Sequence, residues 1–313
     1  MFELIDQTAD WLHATLVIPA LWHLGLMAYE EIAYNWAIFA TYGAAQVLLA
    51  LLVCRPLEMA FPLERWTDRK PVRVDIFYTV ITRVGVLPLV TFVLFYQVQV
   101  FIHGALADND MVPLTLDSVF PSLIELPVLT FVLYIIILDF SDYWRHRLSH
   151  RFGWWYALHA VHHAQRRMTF WSDDRNHVLD DVIAYVWFTI VALIVGIPPL
   201  QFPMLMLVLG LLASLAHINA RIGFGPLRYL LVAPSFHRAH HGVLAAGQHS
   251  CNYGVLFPWW DVMFRTADFQ RIAPITGDLQ SEEDYATGSF IAQQRAGFRG
   301  LIRALRPSSP ITQ

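Results

Sequence analysis

Eight histidines fall into three tight groups: His146 and His150 in DYWRHRLSH, His159, His162 and His163 in HAVHH, and His237, His240 and His241 in HRAHH. On a helix, residues three and four apart share a face, so each group can aim two or three imidazoles at one point. A lone histidine is more often a core or surface residue than a ligand, but here the HxxHH triplet occurs twice. Imidazoles packed together without a metal would repel one another on protonation and would bury donors that lack partners. The pattern therefore predicts metal binding. A structural zinc takes four ligands, so eight histidines require two ions. Imidazole suits zinc, copper, iron and nickel. There is no HExxH motif of a zinc hydrolase. Neutral nitrogen donors without thiolate fit a pair of redox irons that bind dioxygen. Metal-bound imidazoles usually hand their other N–H to a carboxylate, carbonyl or water, a task that suits Asp142 and Asp180. Asp139 and Asp173 also lie near the groups.

These side chains need elements to hold them, and the chain supplies apolar ones. Of 313 residues, 56% are hydrophobic, mean hydropathy is +0.45, and only 15% are charged, against about 25% in soluble domains. Charge is costly in hydrocarbon, so an integral membrane protein is expected. Two cysteines exclude a disulfide framework, and one lysine among 21 basic residues gives no nucleic-acid tract. The acidic start, with Glu3, Asp6 and Asp10, does not read as a cleaved signal.

A helix needs about 20 residues to cross a bilayer. Five stretches approach this: 36–53, 76–98, 123–138, 182–197 and 202–215, with Pro198-Pro199 separating the last two. The expected architecture is all-α, two transmembrane hairpins with one possible extra span, and a cytosolic helical cap holding the histidines. Residues 1–35 read as an interfacial segment, 36–270 as the bundle with its catalytic cap, and 271–313 as a cytosolic tail. In that tail Phe290 to Arg306 shows a basic amphipathic pattern, suited to a membrane surface or to packing on the cap. No Lys or Arg precedes Arg55, none falls between Arg83 and Arg145, and six fall from Arg145 to Arg175. Basic loops stay in the cytoplasm. All eight histidines are thus expected at the cytoplasmic face, and His13, His23 and His103 across the membrane or at its interface.

HRLSH, HAVHH and HRAHH, in this order and with these intervening spans, resemble the fatty acid hydroxylase/sterol desaturase superfamily over roughly residues 70–270. Arg175-Asn176-His177 resembles that family's R-x-H element, with Val178 where a proline is common. His217 in AHINA, near Asn219, resembles the histidine closing the last span, and Asn252-Tyr253-Gly254 with Trp260-Asp261 resembles the closing N-Y-G…W-D element. The resemblance implies two non-haem irons over a four-helix bundle, with His217 joining the eight as a ligand, His177 as a further ligand or a substrate-side residue, and Asn219 and Asn252 supporting them. It implies an O2-dependent lipid hydroxylase, or a lipid or sterol desaturase with the same site. No dinucleotide fingerprint or b5-like module is present, so electrons are expected from a separate donor such as a ferredoxin or cytochrome b5-like protein. The arginine bias suggests a bacterial inner membrane. A membrane cytochrome would need axial histidines within its spans, and a metal transporter would need ionisable ligands along them. Neither fits histidines gathered at helix ends.

Overall fold

The computed structural model describes the chain except residues 1, 67, 88, 91–92, 94–99, 102–103, 106–107, 110–114, 198–201, 245–247, 272–274, 280 and 307–313. The described residues form helices and loops without a strand. The main helices are α1 (Phe2–Leu12), α2 (Ile18–Leu24), α3 (Glu30–Ala60), α4 (Lys70–Arg83), α5 (Pro127–Arg151), α6 (Gly153–His163), α7 (Val178–Val195), α8 (Phe202–Ala216), α9 (Pro234–His240) and α10 (Phe290–Leu305). Among the described residues, three segments are long and apolar enough to cross a bilayer: Met27–Ala60, Pro127–Arg151 and Val178–Val195. The last has 18 residues, about 27 Å at 1.5 Å per residue, close to the thickness of the hydrocarbon core. Helix α8 is apolar but shorter.

Several boundaries differ from those expected. The first span reaches beyond 36–53 at both ends. The third begins later, because Pro121–Glu125 forms a 3-10 turn, and it does not stop at Leu138. It runs on to Arg151, so the first histidine pair belongs to the same helix as the span. Of the expected second span, 76–98, the part up to Arg83 belongs to α4 and a turn with Gly85 at φ 94° interrupts it, while much of its second half, like the Pro198-Pro199 turn and His103, lies outside the described residues. The N-terminal stretch is not one helix: a π-turn, His13–Val17, joins α1 to α2, and Gly25 at φ 69° ends α2.

The chain divides into two compact units. The first comprises Met1–Val53, Thr79–Leu138 and Tyr185–Leu211. In it α1 is pinned to α3 by the Tyr42 hydroxyl on Asp6 (2.9 Å) and the Tyr34 hydroxyl on Asp10 (2.9 Å). Gln46 donates to the carbonyls of Met206 and Leu207, both at 3.1 Å. A polar side chain bonding a neighbouring helix suits an apolar surrounding, where an unsatisfied amide is costly.

The second unit comprises Cys54–Tyr78, Asp139–Ala184 and Leu212–Gln313, and holds all ten candidate ligands. Much of it is irregular backbone, organised by buried carboxylates that accept loop N–H groups, as buried backbone requires. Glu58 accepts from Phe170 (3.1 Å) and Asn219 (3.0 Å). Asp139 accepts from Leu256, Phe257 and the Trp260 indole. Asp261 accepts from Tyr253 and Gly254.

Candidate metal centre

Helix α5 presents His146 and His150 on one face, ring centroids 5.2 Å apart. Helix α6 presents His159, His162 and His163, and α9 with its cap presents His237, His240 and His241. His217 follows the last turn of α8. Nine imidazoles converge in two groups: His146, His150, His159, His163 and His240, and His162, His217, His237 and His241. Within each group one ring nitrogen per residue lies within 4.8 Å of all the others.

The two triplets divide their ligands reciprocally. His159 and His163 enter the five-membered group while His162 enters the four. His237 and His241 enter the four while His240 enters the five. Helical geometry explains the division. Residues four apart lie about 40° apart around the axis, but adjacent ones about 100°, so an HH pair cannot serve one ion. The groups abut: the rings of His163 and His241 stack at 4.4 Å.

The nitrogen separations test whether a metal fits. In the four-membered group, His237 Nε2 lies 3.0 Å from His217 Nε2 and 3.1 Å from His241 Nε2, and His217 Nε2 lies 3.4 Å from His162 Nε2. His240 Nε2 lies 3.1 Å from His163 Nε2 in the other group. Nitrogens about 2.0–2.1 Å from a shared ion would stand roughly 2.9–3.4 Å apart. The Nε2 atoms of His146, His150 and His159 are buried without a hydrogen-bond partner, an arrangement that needs an explanation in a folded protein. A bound cation supplies one.

The outward nitrogens of four rings are held in place. His146 Nδ1 lies 2.8 Å from the Tyr253 carbonyl, His240 Nδ1 2.7 Å from the Cys251 carbonyl, and His217 Nδ1 2.8 Å from the Ala213 carbonyl. Asp180 accepts from His159 Nδ1 at 2.9 Å and from the Trp155 indole at 2.7 Å. Such contacts fix the tautomer and turn the Nε2 lone pair inward. Burial, reinforced by neighbouring imidazoles, holds His162, His163, His237 and His241 well below the ordinary histidine range, and burial takes His240 down to about 3. They are therefore neutral at physiological pH, as ligands must be.

The other candidates lie as follows. Asp142 bonds Arg145 at 2.6 Å. Asn219 grips Glu64 through its side-chain amide and carbonyl, fixing the chain two residues past His217. Asn252, at φ 61°, ties the carbonyls of Phe236 and Asp268 and accepts from Asp268 N–H. His177 lies outside both groups. Sequence reasoning did not single out the carbonyls of Tyr253, Cys251 and Ala213, since a backbone acceptor leaves no residue signature. Asp173, 3.5 Å from His217 Nδ1, stood only among nearby acids.

Residues 131–266 match the family model described as fatty acid hydroxylase. The chain is 32% identical to the ornithine lipid hydroxylase of Rhizobium tropici over 136 residues, 43% of this chain and 40% of that one. It is 29% identical to the alkylglycerol monooxygenase of Caenorhabditis elegans over 161 residues, 50% of this chain and 31% of that one. A very-long-chain aldehyde decarbonylase of Oryza sativa is 26% identical over 142 residues, 42% of this chain and 22% of that one. The chain thus spans less than half the length of these curated relatives. No solved structure matches it. All nine converging imidazoles lie inside residues 131–266, the stretch that matches the fatty acid hydroxylase model.

Proposed function

We infer that this chain is a membrane-bound oxygenase in which two histidine-held irons support hydroxylation of an unactivated C–H bond in a membrane lipid. The observation that carries this reading is the division of nine imidazoles into abutting groups of five and four, with no carboxylate or thiolate in either among the described residues. Irons bound there would supply dioxygen activation, with R–H, O2, two electrons and two protons giving R–OH and water.

The chain's own residues do the rest. The five- and four-membered groups set ligand number and orientation. The carbonyls of Tyr253, Cys251 and Ala213 and the carboxylate of Asp180 keep four of the nine rings, those of His146, His240, His217 and His159, turned inward. Burial of eight of the nine imidazoles limits water at the centre, which protects a strongly oxidising site from side reactions. The relatives act, by their names, on an ornithine lipid and an alkylglycerol. This supports a fatty acyl, aminolipid or ether lipid as substrate. A ferredoxin or cytochrome b5-like donor would approach from the cytoplasm. Of the arginines that could receive it, Arg166 is paired with Glu283, Arg167 with Asp68, and Arg147 bonds the Tyr143 hydroxyl, so the exposed Arg151 is the better contact.

The test is lipid mass spectrometry of bacterial membranes carrying this chain beside a reduced ferredoxin. A lipid gaining one oxygen, only with iron-loaded protein, is expected. Loss of two hydrogens would assign desaturation at the same centre. An unchanged lipid profile with iron-loaded protein and reduced donor would overturn the reading.

A further inference from the structure

Helix α10 lies beyond the stretch matched by the family model, yet it packs along α6, the helix of the second histidine group. We propose that α10 is a clamp on that group, with Arg175 and His177 as its socket, and that His177 is a positioning residue and not a ligand.

Both nitrogens of His177 are already committed. Nε2–H donates to the Gln294 carbonyl at 2.8 Å, and Nδ1 accepts from Leu179 N–H at 3.1 Å, so no lone pair is left for a metal. Gln294 answers from α10: its side chain accepts from Val178 N–H at 2.8 Å and donates to the Asn176 carbonyl at 3.1 Å. The helix can lie this close only because residue 297 is glycine. A Cβ there would stand 2.4 Å from the His177 ring.

The second half of the socket is Arg175, 2% exposed. Its guanidinium donates to the Val161 carbonyl between the ligands of α6, to Asp75 at 2.9 Å, and to the carbonyls of Tyr285 and Ala286 in the short helix Glu283–Thr287 that precedes α10. The Tyr285 hydroxyl lies within 3.1 Å of the Ala157 carbonyl of α6 and 2.9 Å of the Ala296 carbonyl of α10. From His177 the chain of contacts reaches the centre directly. The His177 carbonyl accepts from Asp180 N–H at 2.8 Å, and the Asp180 carboxylate holds His159. Displacing α10 therefore loosens α6 and tilts His159.

The inference rests on the two-metal reading, and the experiment separates the two. His177→Ala, His177→Gln and Gly297→Leu are compared with the unaltered chain for metal bound at saturation, metal release to a chelator, and trypsin cleavage within α10 of the metal-free protein. Expected for His177→Ala and Gly297→Leu are unaltered metal content, release faster by about tenfold or more, and accelerated cleavage at Arg295 and Arg299. His177→Gln, which can still donate to the Gln294 carbonyl, should recover slow release. Reduced saturation in His177→Ala would make His177 a ligand and overturn the proposal. So would unaltered release with unaltered cleavage. An unaltered chain that holds no metal would defeat the two-metal reading, while cleavage would still report whether His177 secures α10.

Discussion

Single side chains set the chemistry of this centre, and the buried imidazoles give it a pH signature. In the metal-free fold His162, His163, His237, His240 and His241 hold protons less readily than free histidine. The unfolded chain takes them up below pH about 6.5, so it binds more protons than the native state under acid. Stability is then full above about 6.5 and falls as pH drops through that value. Thermal unfolding of metal-free protein in detergent should show a steep loss of melting temperature from neutral pH to about pH 5. A flat profile would show that these rings are hydrated and titrate normally. Substitution should also separate ligands from bystanders. His163→Ala and His217→Ala, one from each group, should lower bound iron by about half or more. His13→Ala should leave it unchanged, since His13 packs on Tyr34 at 4.9 Å and faces Glu30 in the other unit. Full iron retention in His217→Ala would leave a site built from the three boxes alone.

Helices turn these residues into a centre through their phase. Helix α5 is continuous from Pro127 to Arg151, so the register of its apolar part also sets that of His146 and His150. Inserting one alanine between Arg147 and Leu148 would rotate His150 by about 100° from the face of His146. The insertion should empty the five-membered group and weaken binding at the other, as read by iron content and far-UV circular dichroism. Retained helix with normal iron would mean that His150 is dispensable. Spacing of this kind was legible in the sequence, because four-residue intervals have one helical meaning. The three boxes and His217 were found that way or by resemblance. The partner of the R-x-H histidine was not legible, because a histidine's type and place do not reveal that the Gln294 carbonyl, 117 residues on, lies on its Nε2. The carboxylates were readable only in part: Asp180 supports His159, but Asp142 turns to Arg145 three residues away.

The whole molecule has to reconcile an apolar chain with a polar centre. The histidine-bearing segments share the arginine-rich part of the sequence, and Asp108 lies in the gap from Arg83 to Arg145 that lacks basic residues. If basic segments stay inside, a cysteine placed at Asp108 should react with an impermeant maleimide on intact cells. One placed at Arg166 should react only after permeabilisation. Cys54 and Cys251 are buried, which keeps background labelling low. Reversed labelling would place the centre away from cytosolic donors. Span number was less legible than the site, because hydropathy does not show where an apolar helix stops. The third helix passes its expected end at Leu138 by 13 residues, reaching Arg151.

The neighbours His162 and His163, like His240 and His241, serve different groups across a single peptide bond. An ion captured by one group orders the very backbone that presents ligands to the other. The second ion then meets a pocket whose ordering entropy has already been spent. Loading should accordingly be sigmoidal in free iron, with singly loaded chains scarce at every concentration. Under iron limitation a population of this protein would consist of complete and empty centres, and its activity would fall by number of molecules, not by degree within each one.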